Sequence, residues 1–420
     1  MAVDSGGTGL EADVSGEESP FGKSRPSALG GRTSRSQENT MKSNARWTTT
    51  LALLSGAYWV GAVDGLGASK EAAEAAAMMS SQAAEQRAAA AAREKDPSWK
   101  PSCGEAGVIQ IGDPKSPGAL RNFCLNAEGN ILACFAPLET AKPSDPKGAP
   151  GILVYSPSGK LLKTMPLKIK PTAICVGKDG SIFVAGDGQL LKLDASGNVL
   201  ASAASPVANE TVTIGKEIEE MVKESKRPFK EEVERMKATL EKRRADVTGL
   251  AATEQDVFMA VPAPSDFTYR IYRLNHALGQ PKLVVEKLRG CCGQMDVQAH
   301  DGKLWIPHNA RHAVESRDRD GKELLKFGKA GKVKATDFGG CCEPKSMRVL
   351  PNGDILAAES GPPTCIKRFS ANGTFKEVIA VANNSKGDCV RVTVEMSTDG
   401  KRYYLLDTTR DAIRIFNVKS

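Results

Sequence analysis

The triplets Gly290-Cys291-Cys292 and Gly340-Cys341-Cys342 are the residues best placed to do chemistry in this chain. They recur fifty residues apart, each just ahead of a segment that reads as a β-strand. Asp388-Cys389 repeats the placement once more. Adjacent cysteines support three chemistries: disulfides that stiffen a fold, a thiolate site for a soft metal such as copper, zinc or iron, or a redox-active dithiol. In the metal reading His308 is the candidate nitrogen ligand beside Cys291, Cys292, Cys341, Cys342 and Cys389. No Cys-x-x-Cys occurs, so a thioredoxin-like motif, a zinc ribbon and attached haem are unsupported. His308 and His312 have the i, i+4 spacing of a helical metal site, but Pro307 places them at a strand end. No phosphate-cradling glycine loop or nucleophile elbow is present.

Which chemistry is open depends on the compartment, and the start of the chain speaks to it. Residues 1–40 are polar and rich in Gly and Ser, a composition that does not order. Met41 to Arg46 is short and basic, Trp47 to Val63 carries no lysine, arginine or acid, and small residues follow to Ala68. This is the layout of a secretory signal over 41–68, with Met41 the expected true start. Uncleaved, the same run would act as a membrane anchor. Either way the body is expected outside the cytosol, secreted or periplasmic, where disulfides persist. The net charge of +7 is spread among acids over 420 residues, and aromatics are 5% of the chain. That pattern excludes a dedicated nucleic-acid surface.

The elements that must position the cysteines form a repeat. Residues 69–102 read as an Ala-rich helical spacer, stopped at Asp96-Pro97. From Cys103 onward a module recurs: strand, Asn-Gly or Asp-Gly turn, strand, strand ending in a phrase such as Asp194-Ala195-Ser196-Gly197, strand. The first turn appears at Glu128-Gly129, Asp179-Gly180, Asp301-Gly302, Asn352-Gly353 and Asp399-Gly400, and a degenerate copy carries Glu254-Gln255-Asp256. Glycine there supplies the positive φ that hairpin turns need. Six copies of about forty residues predict an all-β fold, a six-bladed propeller of four-stranded antiparallel blades over 103–420. The last copy ends after three strands, at Ile413 to Asn417, and the spare segment Val108 to Ile111 is expected to supply its fourth strand and close the ring. Two insertions interrupt the pattern, Ala136 to Gly151 and 207–247. In the second, Phe229, Val233, Met236 and Leu240 recur at helical spacing after Pro228, predicting an amphipathic helix between the second and third blades.

These modules resemble NHL-repeat proteins over roughly Val108 to Val418. The resemblance implies a six-bladed propeller. Related propellers include metal-dependent lactonases and an amidating lyase, which use acids, Asn or several His at the channel. This chain has four His and matches neither ligand set in order.

Antiparallel connectivity then decides which loops are neighbours. Links between blades and links from second to third strands share one face. That face gathers the paired cysteines, Asp388 and Cys389 from the links between blades, and His308, Glu359 and Asp407 from the ends of second strands. Glu359, Asp388 and Asp407 are the expected binding surface. The expected function is a scaffold that takes a protein or small-molecule ligand at this cysteine-rich channel mouth. The alternative is a metal- or dithiol-dependent enzyme at the same place.

Overall fold

Five turn glycines, Gly129, Gly180, Gly302, Gly353 and Gly400, have φ between +69° and +81°. Each joins the first two strands of a blade. A side chain there would be strained, so the sequence places glycine once per repeat. The third repeat does without it: Thr253 caps the turn, accepting from the backbone N–H of Gln255 and Asp256.

The computed structural model describes residues 70–115, 118–137, 149–225, 227–290, 293–382 and 389–419. The expected extension and signal segment, most of the Ala136–Gly151 insertion, and Cys291, Cys292 and Asp388 lie outside the described residues. Among those described, no helix is long and apolar enough to cross a membrane.

Six four-stranded antiparallel sheets form the propeller. Blade 1 is β2 (Leu120–Leu125), β3 (Ile131–Phe135), β4 (Gly151–Tyr155) and β5 (Leu161–Pro166). Blade 2 is β6 (Ala173–Val176), β7 (Ile182–Gly186), β8 (Gln189–Leu193) and β9 (Val199–Ala204). Blade 3 is β10 (Gly249–Ala252), β11 (Asp256–Pro262), β12 (Thr268–Asn275) and β13 (Lys282–Arg289). Blade 4 is β14 (Gln298–His300), β15 (Lys303–His308), β16 (Ala313–Arg317) and β17 (Glu323–Phe327). Blade 5 is β18 (Ser346–Val349), β19 (Ile355–Glu359), β20 (Thr364–Phe369) and β21 (Phe375–Ala382). Blade 6 is β22 (Val394–Met396), β23 (Arg402–Asp407), β24 (Ala412–Val418) and β1 (Cys103–Gln110).

The spare amino-terminal strand therefore does close the ring. It pairs antiparallel with β24, Cys103 opposite Val418 and Gln110 opposite Ala412. Apolar cores lie between blades. Ile109, Phe123, Leu406 and Ile413 join blade 6 to blade 1, for example, and Cys124, Leu132, Ile174 and Val184 join blade 1 to blade 2.

The 207–247 insertion holds two helices, α2 (Lys216–Lys223) and α3 (Phe229–Arg244), after the amino-terminal α1 (Lys70–Glu94). Ile218, Val222 and Leu240 are buried together against Val212, with Val233, Met236 and Phe267 at the edge. Phe229, expected on the apolar face, is exposed because it begins the helix beyond the reach of that cluster. The Ala-rich α1 does more than space. Its carboxyl end docks on the link between blades 4 and 5, with Arg93 donating to the Lys332 carbonyl and Trp99 to the Val333 carbonyl, each at 2.6 Å.

Candidate functional site

A circle of short polar side chains defines the channel mouth. Each sits at or just before an innermost strand and reaches the next blade. Asn122 Nδ2 approaches the Thr172 carbonyl at 3.5 Å, and Thr172 Oγ1 donates to the Val247 carbonyl at 2.7 Å. Thr248 Oγ1 donates to the Met295 carbonyl at 2.8 Å. Ser346 Oγ donates to Asp296 Oδ2 at 2.8 Å and accepts from the Val394 N–H at 3.4 Å. Thr393 Oγ1 donates to Asn122 Oδ1 at 2.8 Å, which brings the circle back to blade 1. Sequence reasoning missed these residues. Their signal is a polar residue six to eight positions before the turn glycine, visible in five repeats once the glycines are aligned.

Arg391, in the link from blade 5 to blade 6, lies across this circle. Its guanidinium donates to the Thr172 carbonyl at 3.3 Å and the Gly293 carbonyl at 2.9 Å. Burial pulls its pKa below the ordinary value, with Asp246 and Tyr269 opposing and Arg121 reinforcing the shift. Burial raises the Asp246 carboxyl in turn, against the pull of Arg391, Arg243, Lys242 and Arg121. Asp246 and Arg243 arrive through the helical insertion. Arg243 lies in the last turn of α3, where basic residues suit the negative end of the helix dipole, and its guanidinium lies 5.0 Å from the Phe267 ring and 5.5 Å from that of Tyr269. Among the described residues no carboxylate lies within ion-pair distance of Arg391. The mouth thus gathers Arg391, Arg121 and Arg243 around Asp246, a local excess of positive charge. Deeper in the channel Arg348 is matched instead, 2.7 Å from Glu395 and 3.3 Å from Asp296.

The sulfur cluster stands on the same face. Cys341, from the link between blades 4 and 5, is exposed, and Cys389, from the next link, is half-exposed. Their Sγ atoms are 3.0 Å apart, Cys341 Sγ is also 3.0 Å from Cys342 Sγ, and all three sulfurs lie within 4.8 Å of one another. Cys342 is disulfide-bonded, while no pair of described sulfurs is itself at bonding distance. A tetrahedral zinc–thiolate site would set neighbouring sulfurs about 3.8 Å apart, given metal–sulfur bonds of about 2.3 Å. The observed contacts are tighter, and one of the three sulfurs is spent in a disulfide. The three sulfurs are close enough to one another for sulfur–sulfur exchange, and they also form the one group of metal-ligating side chains among the described residues.

The other expected site residues lie elsewhere. His308 is buried at the end of β15, its Nδ1 2.7 Å from Glu315 Oε1 and its Nε2 accepting from the Arg289 N–H at 3.1 Å. Glu359 is buried at the end of β19, 2.5 Å from Lys367 Nζ and accepting from the Gly339 N–H at 2.6 Å. Asp407 is buried at the end of β23, accepting from the Thr409 hydroxyl at 2.6 Å with Arg414 at 3.8 Å. In each case the second strand meets a partner on the third, so these groups brace blades and offer little to solvent. Cys124 and Cys175 line the innermost strands, and burial pushes their thiols up, that of Cys175 to about 12. A groove of about 720 Å³ opens between blades 1 and 2, lined by residues of the opposite hairpins such as Asn126, Lys178 and Ala195.

No family profile and no curated protein matches the sequence. Among solved structures, the chain is similar to a structural genomics protein of unknown function from Bacteroides thetaiotaomicron, with 12% identity over 77% of this chain and 73% of that one and a TM-score of 0.47. It is similar to a gluconolactonase from Xanthomonas campestris, with 10% identity, 77% and 98% coverage and a TM-score of 0.45. It is also similar to a catalytically inactive virginiamycin B lyase from Staphylococcus aureus, with 12% identity, 74% and 99% coverage and a TM-score of 0.43.

Proposed function

We propose that this chain is an NHL-like binding propeller of the extracytoplasmic space, which takes an anionic group of a protein or small-molecule ligand at its channel mouth. One observation carries the reading: Arg391 is half-buried at the mouth, and its guanidinium donates to the neutral carbonyls of Thr172 and Gly293, with no carboxylate among the described residues at ion-pair distance. Taking a guanidinium out of water costs several kcal/mol, and a carboxylate or phosphate that reaches it recovers much of that through charge-assisted bonds. Arg121 and Arg243 add attraction at longer range. The signal-like segment 41–68 and the ten cysteines support the location. Aminoterminal sequencing of exported protein tests it, with a mature end between Ala62 and Ala68 expected. Binding is tested by melting the protein in inorganic phosphate at constant ionic strength. The wild type should gain several degrees in Tm by mass action, and Arg391→Gln should not. Equal gains in both proteins would sink the reading.

A second reading, a dithiol-dependent site at the same mouth, is favoured by the convergence of Cys341, Cys342 and Cys389. A copper, zinc or iron ion held by the same sulfurs is the competing occupant.

A further inference from the structure

We infer that Cys341 and Cys389 form a reversible dithiol–disulfide couple that exchanges electrons with external disulfides and clasps two neighbouring links at the rim of the mouth. This deepens the dithiol reading above and rests on it.

The two sulfurs are 3.0 Å apart, so a bond of about 2.05 Å needs only about 1 Å of approach. The loops that carry them are held in register on both sides. Glu343, next to Cys342, accepts at Oε1 from the Ser360 N–H, the Ser360 hydroxyl and the Gly361 N–H, fixing the first link to the end of β19. Lys345 Nζ donates to the Val390 carbonyl at 3.1 Å, tying the first link to the second one residue past Cys389. Gln294 grips Val392 through both its carbonyl and its N–H. Cys389 itself has φ +71°, a left-handed conformation that is strained for a residue other than glycine. The surrounding bonds hold it in that strained state, with its sulfur against Cys341.

Exposure assigns the roles. The exposed Cys341 sulfur, after losing its proton to water, attacks an external disulfide R–S–S–R. A Cys341–S–S–R bond forms, the R–S–S–R bond breaks, and one thiolate leaves and takes up a proton. The Cys389 sulfur, likewise deprotonated, then attacks Cys341 and expels the second thiolate. In sum two protein thiols and one external disulfide give one protein disulfide and two external thiols, with two electrons passing outward. Run backwards, the protein disulfide oxidises external thiols. The finished bond would stitch the link between blades 4 and 5 to that between blades 5 and 6, two residues from Arg391.

The probe is glutathione. Full-length protein, equilibrated in mixtures of glutathione and glutathione disulfide, is acid-quenched, alkylated and mapped by peptide mass spectrometry. The expected result is a Cys341–Cys389 disulfide that fills and empties along a two-electron curve, about 30 mV per tenfold change in ratio. Cys389→Ser should trap a mixed disulfide of Cys341 with glutathione, and Cys341→Ser should leave Cys389 unmodified on the same timescale. The inference is overturned if Cys341 stays alkylatable in every mixture. It is equally overturned if Cys341 pairs only with Cys342, or if elemental analysis finds one tightly held metal that shields both thiols. The mapping is done on wild type, so a variant that fails to fold does not decide the matter. Phosphate-dependent melting, repeated on reduced and oxidised protein, reports the Arg391 reading separately, since either result can fail while the other stands.

Discussion

Two buried glutamates one blade apart should titrate with opposite effects on stability. Glu315 is buried, which by itself would raise its pKa, but His308, Arg317 and Lys326 hold it well below the usual carboxylate range. Its folded pKa is therefore lower than its unfolded one. The stability it contributes is present above about pH 4.5 and is lost as pH falls further, at up to about 1.4 kcal/mol per pH unit. Glu343 is raised to about 8, chiefly by burial and further by nearby Glu359, against Lys345 and Ser360. Folded protein holds that proton where the unfolded chain has released it, so stability falls as pH rises from about 4.5 to 8 and levels off above. Urea unfolding across pH 3 to 9 should show both slopes. Glu343→Gln keeps the acceptor oxygen for Ser360 and Gly361 and should flatten the alkaline slope alone. Glu315→Gln should flatten the acid one at a cost of about 3 kcal/mol, because it strands three cationic or donor groups. Unchanged slopes in these variants would reassign both carboxyls.

At the scale of elements, the joints between blades depend on strand ends. Asp411, in the turn before β24, is fully buried at φ +49°, and its carboxylate accepts from the N–H groups of Gly118, Ala119 and Leu120 at 2.8 to 3.2 Å. Three backbone donors at the entrance to blade 1 thus rest on one side chain of blade 6. Asp411→Ala should cost about 3 kcal/mol by leaving them without it, and Asp411→Asn less, since one acceptor oxygen survives. Equal melting temperatures for wild type and Asp411→Ala would show that water replaces the carboxylate. Much of this scale was legible in the sequence. Turn glycines and alternating strands are local signals, and antiparallel connectivity follows from them, so the face shared by Cys341 and Cys389 could be read before any coordinates. The roles of His308, Glu359 and Asp407 could not. Position at a strand end does not reveal that Glu315, Lys367 and Arg414 on the adjoining strands turn these groups inward. Arg391 was hidden for another reason: a lone arginine in a link resembles any surface arginine until the ring sets it across the mouth.

For the whole molecule, closure is the decisive event. A protein beginning at residue 112 keeps every other strand but lacks β1, leaving β24 as an open edge with unpaired backbone groups. We expect it to lose the single cooperative melting transition and to associate, seen as a shift to larger species in size-exclusion chromatography. A monomer that melts as the full chain does would show that β1 is dispensable. The same truncation removes the docked end of α1, whose Arg93 and Trp99 hold the link between blades 4 and 5, so a protein beginning at Ser102, which keeps β1 and loses that contact, is the matched control.

The pairing of β1 with β24 also bears on how the protein is made. Translation delivers β1 before any other strand of the propeller, and its partner β24 is the last of the twenty-four strands described. Throughout synthesis β1 has no sheet to join, and a nascent chain held at any intermediate length is a rack of blades with two exposed sides. The circle of polar bonds through Asn122 and Thr393 likewise waits for the final segment. A ribosome-stalled or prematurely ended chain is therefore an open, adhesive species. A propeller of this design needs to be kept unfolded, or accompanied, until β24 has been made.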